Sequence, residues 1–127
     1  MLRDAKIMAF VATAQPDRAT AFYRDVLGLR LISDERYALV FSAGATMLRI
    51  QKVRDLVPQQ FTALGWEVDD IEQAVDDLVG RGATMLRADG IPQDARGIWD
   101  TGDGAKVCWL KDPDGNTLSL TEFARSS

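Results

Sequence analysis

The chain has no histidine and one cysteine among its 127 residues, so the side chains that most often carry acid–base, nucleophilic or metal chemistry are nearly missing. Cys108 lies between Val107 and Trp109 in a predicted strand, with no imidazole to activate it, and reads as a buried structural thiol. A lone cysteine makes no internal disulfide, which agrees with a reducing compartment. Asp112, Asp114 and Asn116 set oxygens at alternate positions, as a calcium loop does. That stretch is too short for an EF-hand and lacks its distal glutamate, so Pro113 and Gly115 mark it as a hairpin turn. Glu67, Glu122 and Asp100 are carboxylates whose spacing asks for no shared site, although burial in a dry pocket would fit Glu67 or Glu122 for acid–base work. What is left suits binding. Arg49 sits between Leu48 and Ile50, and strand alternation puts it with Met47 and Gln51 on the face opposite that apolar pair. Its guanidinium suits bidentate capture of a carboxylate or phosphate. An internal ion pair with Glu67 or another carboxylate explains it as well, and both readings stay open. Three tryptophans complete the set. Trp66 alternates with Glu67 and is expected to face a helix as core, whereas Trp99, beside Gly97 and a polar loop, is the one expected to touch a ligand.

The elements that must position these residues come as one pattern used twice. From residue 10 to 31 a short apolar strand leads to Gln15-Pro16, then apolar residues at Ala19, Phe22, Tyr23, Val26 and Leu27, then Gly28 and another strand. From 66 to 86 the same order recurs: strand, Asp69-Asp70, apolar residues at Ile71, Ala74, Val75, Leu78 and Val79, then Gly80, Gly82 and a strand. Both apolar sets follow i, i+3, i+4, i+7, i+8, one buried stripe at helical period. Pro16 suits a first-turn position and Gly28 a left-handed C-cap, while Asp70 with Gln73 forms a capping box. Strands are predicted at 6–13, 29–33, 37–41 and 46–52, then at 61–68, 83–86, 97–100, 105–110 and 117–123, with both faces of the first strand covered. The fold class is therefore α+β, two βαβββ modules: 1–52 and 61–127, joined by a linker at 53–60 that breaks both periodicities.

Composition excludes several functions. The net charge of −4, with no clustered Lys or Arg, argues against nucleic acid. No stretch is long and apolar enough to span a membrane, and Asp4 and Lys6 stand where a signal peptide would carry its apolar core, so a cytoplasmic location is expected.

With both modules in place, three motifs carry a resemblance. Ala21-Phe22-Tyr23-Arg24-Asp25-Val26-Leu27-Gly28-Leu29, Glu67-Val68-Asp69-Asp70 and Leu110-Lys111-Asp112-Pro113-Asp114-Gly115-Asn116 fall in an order and spacing that resemble the vicinal oxygen chelate superfamily. That group includes glyoxalase I, extradiol dioxygenases, methylmalonyl-CoA epimerase and the fosfomycin- and bleomycin-resistance proteins. The resemblance implies a curled mixed sheet around a cavity, usually completed by a homodimer. It also implies metal ligands on the first and last strands of each module, at positions that fall here on Met8, Arg49, Ala63 and Ser119. None is a sensible partner for Zn, Ni, Mn or Fe(II), and the cation of Arg49 would repel one. No metal, no other cofactor and no catalytic residue is therefore expected. The resemblance turns Arg49 into the cavity near Met8 and Ser119 and brings Trp99 to a loop bordering it, with Trp109 on an adjoining strand. Met8, Phe10 and Met47 supply apolar contacts. The expected function is metal-independent binding of an anionic or aromatic small molecule by a homodimer, as in sequestration of an antibiotic or metabolite. The alternative is an enzyme of the glyoxalase, epimerase or dioxygenase kind that uses ligands outside the family pattern or metal-free acid–base chemistry. A degenerate dimerisation or regulatory module is a third.

Overall fold

The computed structural model describes residues 1–124; the end of the expected second module, 125–127, lies outside the described residues. In chain order the elements are β1 (Met8–Thr13), α1 (Pro16–Ala21), a π-helical turn (Phe22–Val26), β2 (Arg30–Asp34), β3 (Ala38–Ala43) and β4 (Thr46–Lys52). The second set is β5 (Thr62–Glu67), α2 (Ile71–Gly80), β6 (Trp99–Asp100), β7 (Lys106–Lys111) and β8 (Thr117–Glu122). They build two four-stranded sheets ordered β1-β4-β3-β2 and β5-β8-β7-β6. In each, the first strand runs parallel to the last and the other pairs are antiparallel. The architecture is α+β, two βαβββ modules whose sheets stay open and approach each other where β1 meets β5.

Alternation decides the buried face of β4, whereas β3 and β8 are buried on both faces. On β4, Leu48 and Ile50 are buried while Met47 and Gln51 are exposed; on β8, Leu118 and Leu120 are buried under the helices. One core cluster takes Tyr23, Leu39, Phe41, Leu48 and Ile50 from the first module and Ala83, Leu110 and Leu118 from the second. A smaller one joins Ile71 and Val75 of α2 to Ile98, Cys108 and Leu120. Asp70 caps α2 by accepting from the Gln73 amide at 3.1 Å, but the reciprocal half of the box does not form, because Gln73 Nε2 donates to Asp77 at 2.9 Å instead. The amide of Ile71 is satisfied by Glu122 Oε1 at 3.0 Å.

Four expectations need correction. β1 is covered on one face only: Val11 and Thr13 are buried, whereas Met8 and Phe10 are each 47% exposed. Val79 leaves the predicted stripe of α2 and stands exposed. The first helix does not run unbroken to Gly28; after Ala21 it widens, and the Leu27 amide donates to the Phe22 carbonyl, five residues back. The predicted strand at 83–86 reduces to a bridge from Met85 to Leu110 and a bond from the Leu86 amide to the Trp109 carbonyl. On its other side Gln93 takes the place of a neighbouring strand, donating from Nε2 to the carbonyls of Leu86 and Gly97 and accepting from the Ala88 amide.

Candidate functional site

The open face of the first sheet carries four of the sequence-predicted contacts. In the β1–β4 register Met8 lies beside Met47 and Phe10 beside Arg49, so two thioethers, one ring and one guanidinium share a surface. Met47 is 42% exposed. Arg49 donates to Glu35 Oε1 at 3.3 Å, with 29% of its side chain exposed. The internal partner is thus the acid in the turn between β2 and β3, not Glu67. The pair is loose and half wet, so its geometry leaves donors of the fork facing solvent.

The second sheet carries the other three. Trp109 lies opposite Ser119 in the β7–β8 register, and Ser119 lies beside Gly65 of β5. A Cβ at position 65 would sit 2.7 Å from Ser119 Oγ, so a larger residue there would have to turn that hydroxyl aside. Trp99 stacks on Trp109 with ring centroids 6.2 Å apart and planes 24° from parallel. Beside Trp109 opens a cleft of about 590 Å³ bounded by Phe61, Leu86, Arg87, Ile91 and Lys111. Trp109, rather than Trp99, faces that cleft; Trp99 backs it. Neither cation of this cleft makes a salt bridge among the described residues, but Arg87 donates to the carbonyls of Asp94 and Ala95, which leaves Lys111 as the less committed of the two. Phe61 and Lys111, which line this cleft, are not among the residues singled out from the sequence. Phe61 precedes β5 and is 67% exposed.

A glyoxalase-like domain model matches residues 8–121, nearly the whole of both modules. The chain belongs to the glyoxalase-like domain family. The superfamily resemblance of its three motifs is accordingly confirmed. Among solved structures, the antibiotic binding protein TnmS3 of Streptomyces sp. CB03234 superposes with a TM-score of 0.71 at 20% identity, covering 98% of this chain and 99% of that one. A lactoylglutathione lyase from Agrobacterium tumefaciens gives 0.68 at 20%, over 94% and 93%. A glyoxalase/bleomycin resistance protein/dioxygenase from Nocardioides gives 0.72 at 16%, over 98% and 87%. At such identities the likeness is one of fold. A search of curated proteins finds no match.

For this glyoxalase-like chain the superfamily's metal does not fit the donors present. The strand pairing sets Met8 and Ala63 two residues ahead of Phe10 and Gly65, the neighbours of Arg49 and Ser119. A thioether, a methyl group, an ion-paired guanidinium and a hydroxyl do not make a site for a divalent cation. Elsewhere, Glu122 is engaged by the Ile71 amide and Asp100 by that of Gly102. Among the described residues no group of three or more His, Cys, Asp or Glu side chains converges. The Asp112 to Asn116 stretch is a turn, as expected, and its oxygens are occupied by the protein. Asp112 Oδ1 accepts from the Asp114 and Asn116 amides and Oδ2 from Asn116 Nδ2 and Tyr23 Oη, the last at 2.7 Å. Packing alone therefore does not account for Tyr23. Cys108 is fully buried, and desolvation pushes its thiol up to about 11, against the thiolate a nucleophile needs.

Proposed function

We propose that this glyoxalase-like protein binds an anionic, aromatic small molecule without a metal and sequesters it, as an antibiotic- or metabolite-binding protein does. The observation that carries the reading is the guanidinium of Arg49 standing among half-exposed Met8, Phe10 and Met47, where the superfamily's enzymes hold a metal ligand. A cation on an open apolar face favours a flat, negatively charged ligand: apolar contact supplies affinity and the fork fixes orientation. Trp99, Trp109 and Ser119 form the second wall, with the Trp109 ring available for stacking. In this reading the modules 1–52 and 61–127, joined by 53–60, enclose the ligand between their open sheet faces, and a homodimer in the cytoplasm covers the apolar residues of β1 and β4. The likeness in fold to an antibiotic binding protein supports the class of ligand.

Native mass spectrometry of the purified protein, with elemental analysis of the same sample, is the test. The expected result is a metal-free dimer that retains a small-molecule mass or takes one up from a panel of aromatic antibiotics carrying a carboxylate or phosphate. Arg49→Ala should abolish uptake of the anionic members. A stoichiometric transition metal would overturn the reading in favour of an enzyme, and unchanged affinity in the variant would remove Arg49 from the site.

A further inference from the structure

On the side of the second sheet away from Trp109 and Ser119, a cleft of about 260 Å³ opens between the modules. Leu27 closes it from the first module, Trp66 and Leu78 form its walls, and Leu110, which alternates with Trp109 on β7, lies at its floor. Trp66, expected to be plain core, is only partly buried and packs against both core clusters at this seam. An apolar cavity of roughly 150 Å³ is enough to hold benzene, so this cleft has room for a substituted ring.

Two charges stand at its mouth, Asp77 and Arg81, four positions apart at the end of α2. They are not equivalent. The Asp77 carboxylate accepts from Gln73 Nε2 at 2.9 Å. Arg81 has no carboxylate within 4.0 Å among the described residues, although Asp77 is one helical turn away. Its guanidinium reaches across to the first module instead, and lies so close over Gly28 that a Cβ there would sit 2.8 Å from Nη1. An apolar pocket with one uncommitted fork at its rim selects a compact apolar body carrying a single negative charge.

We propose that this seam is a second ligand site, for a small monocyclic aromatic carboxylate of the benzoate or phenylacetate class. The ring lies against Trp66, Leu78 and Leu110, and the carboxylate meets Arg81. The site uses the face of the second sheet opposite Trp109, and Arg49 lies on the other sheet, so it stands or falls independently of the function proposed above.

The test is a titration of the full chain with benzoate, benzyl alcohol and benzylammonium, followed by the three tryptophan indole N–H signals in a ¹⁵N–¹H correlation spectrum. Benzoate should shift the Trp66 indole saturably and leave those of Trp99 and Trp109 in place. Benzyl alcohol should bind about fivefold more weakly and benzylammonium not at all, and Arg81→Gln should weaken benzoate by about fivefold, the loss of one exposed charge contact. Ala74→Leu, which narrows the cleft, should abolish the shift; because Arg81 is exposed, its variant tests the site even if the narrowed one folds poorly. No saturable shift at Trp66, a response centred on Trp99 and Trp109, or equal affinity in the Arg81 variant would overturn the proposal.

Discussion

Tyr23 is fully buried, and its hydroxyl is held by a carboxylate 89 positions away in sequence. Removing that hydroxyl takes one donor from buried Asp112, a hydrogen bond to a charged acceptor worth about 1.5–3 kcal/mol. Tyr23→Phe should lower unfolding stability by that amount in urea titration near neutral pH; a loss below ~0.5 kcal/mol would show the bond to be dispensable. Burial first, then the charge and hydrogen bond of Asp112 and the charge of Asp114, push the hydroxyl's pKa far above its ordinary 10.0. The native state thus keeps a proton that the unfolded chain releases above about pH 10. Stability present below that pH should fall by roughly 1.4 kcal/mol per further unit. Cys108 acts in the same direction, its thiol raised from 9.0 to about 11, so its share is lost between those values. Urea midpoints from pH 8 to 11 should decline more gently in Tyr23→Phe above pH 10 and in Cys108→Ala above pH 9. Identical slopes in all three proteins would assign the alkaline loss to other groups. Arg49 contrasts with both. Its pair with Glu35 is more than a quarter exposed on one side and half on the other, so Glu35→Gln should change stability by less than ~1 kcal/mol while leaving the guanidinium free for ligand.

At the scale of elements, Gln93 holds the loop that follows α2. Its side chain makes three hydrogen bonds that a strand would otherwise supply, to Ala88, Leu86 and Gly97. At a net contribution of about 1 kcal/mol each, Gln93→Ala should destabilise by roughly 2–3 kcal/mol. Amide exchange at Ala88 should rise with it; protection kept at Ala88 would mean that the loop is held by other means. This is also where sequence patterning reaches its limit. The strand at Thr46–Lys52 was readable because alternation, a preceding Gly44 turn and a buried apolar face all agree. The segment at 83–86 looks equally strand-like, but what lies beside it is an amide side chain seven residues on, which periodicity does not register. The π-helical turn is hidden for a similar reason. The widening starts at Phe22, inside an apolar run whose spacing fits an unbroken α-helix, so the pattern alone does not register it. Arg49 stands out in the sequence because it is a cation on the polar side of an alternating strand, whereas Trp109 is singled out only through the family resemblance. Lys111 does not stand out, since it belongs to a motif that the turn already explains, and Phe61 sits at the margin of the expected linker.

For the molecule as a whole, the question is whether two similar modules behave as two units or one. The turn at the start of β8 reaches back into the first module at several points. Asp114 accepts from the Thr13 hydroxyl and the Ala14 amide, Asn116 Nδ2 donates to the Ala12 carbonyl at 2.9 Å, and Asp112 holds Tyr23. Gln15 Nε2 adds a bond to the Pro113 carbonyl. Around this latch the larger core runs without a break from Phe41 and Ile50 to Leu110 and Leu118. Neither half has a separate core of ordinary size: at 52 and 67 residues each is near the length below which one core seldom suffices. One cooperative transition is therefore expected. All three tryptophans lie in the second module, so their fluorescence reports that half, while far-ultraviolet circular dichroism reports both sheets. The two urea midpoints should coincide, and Asp112→Ala, which strands the buried donors of Tyr23 and Asn116, should lower both together by about 3 kcal/mol or more. A fluorescence transition separated from the dichroism transition, in the parent or in the variant, would show instead that the modules fold independently and that the latch only orients them.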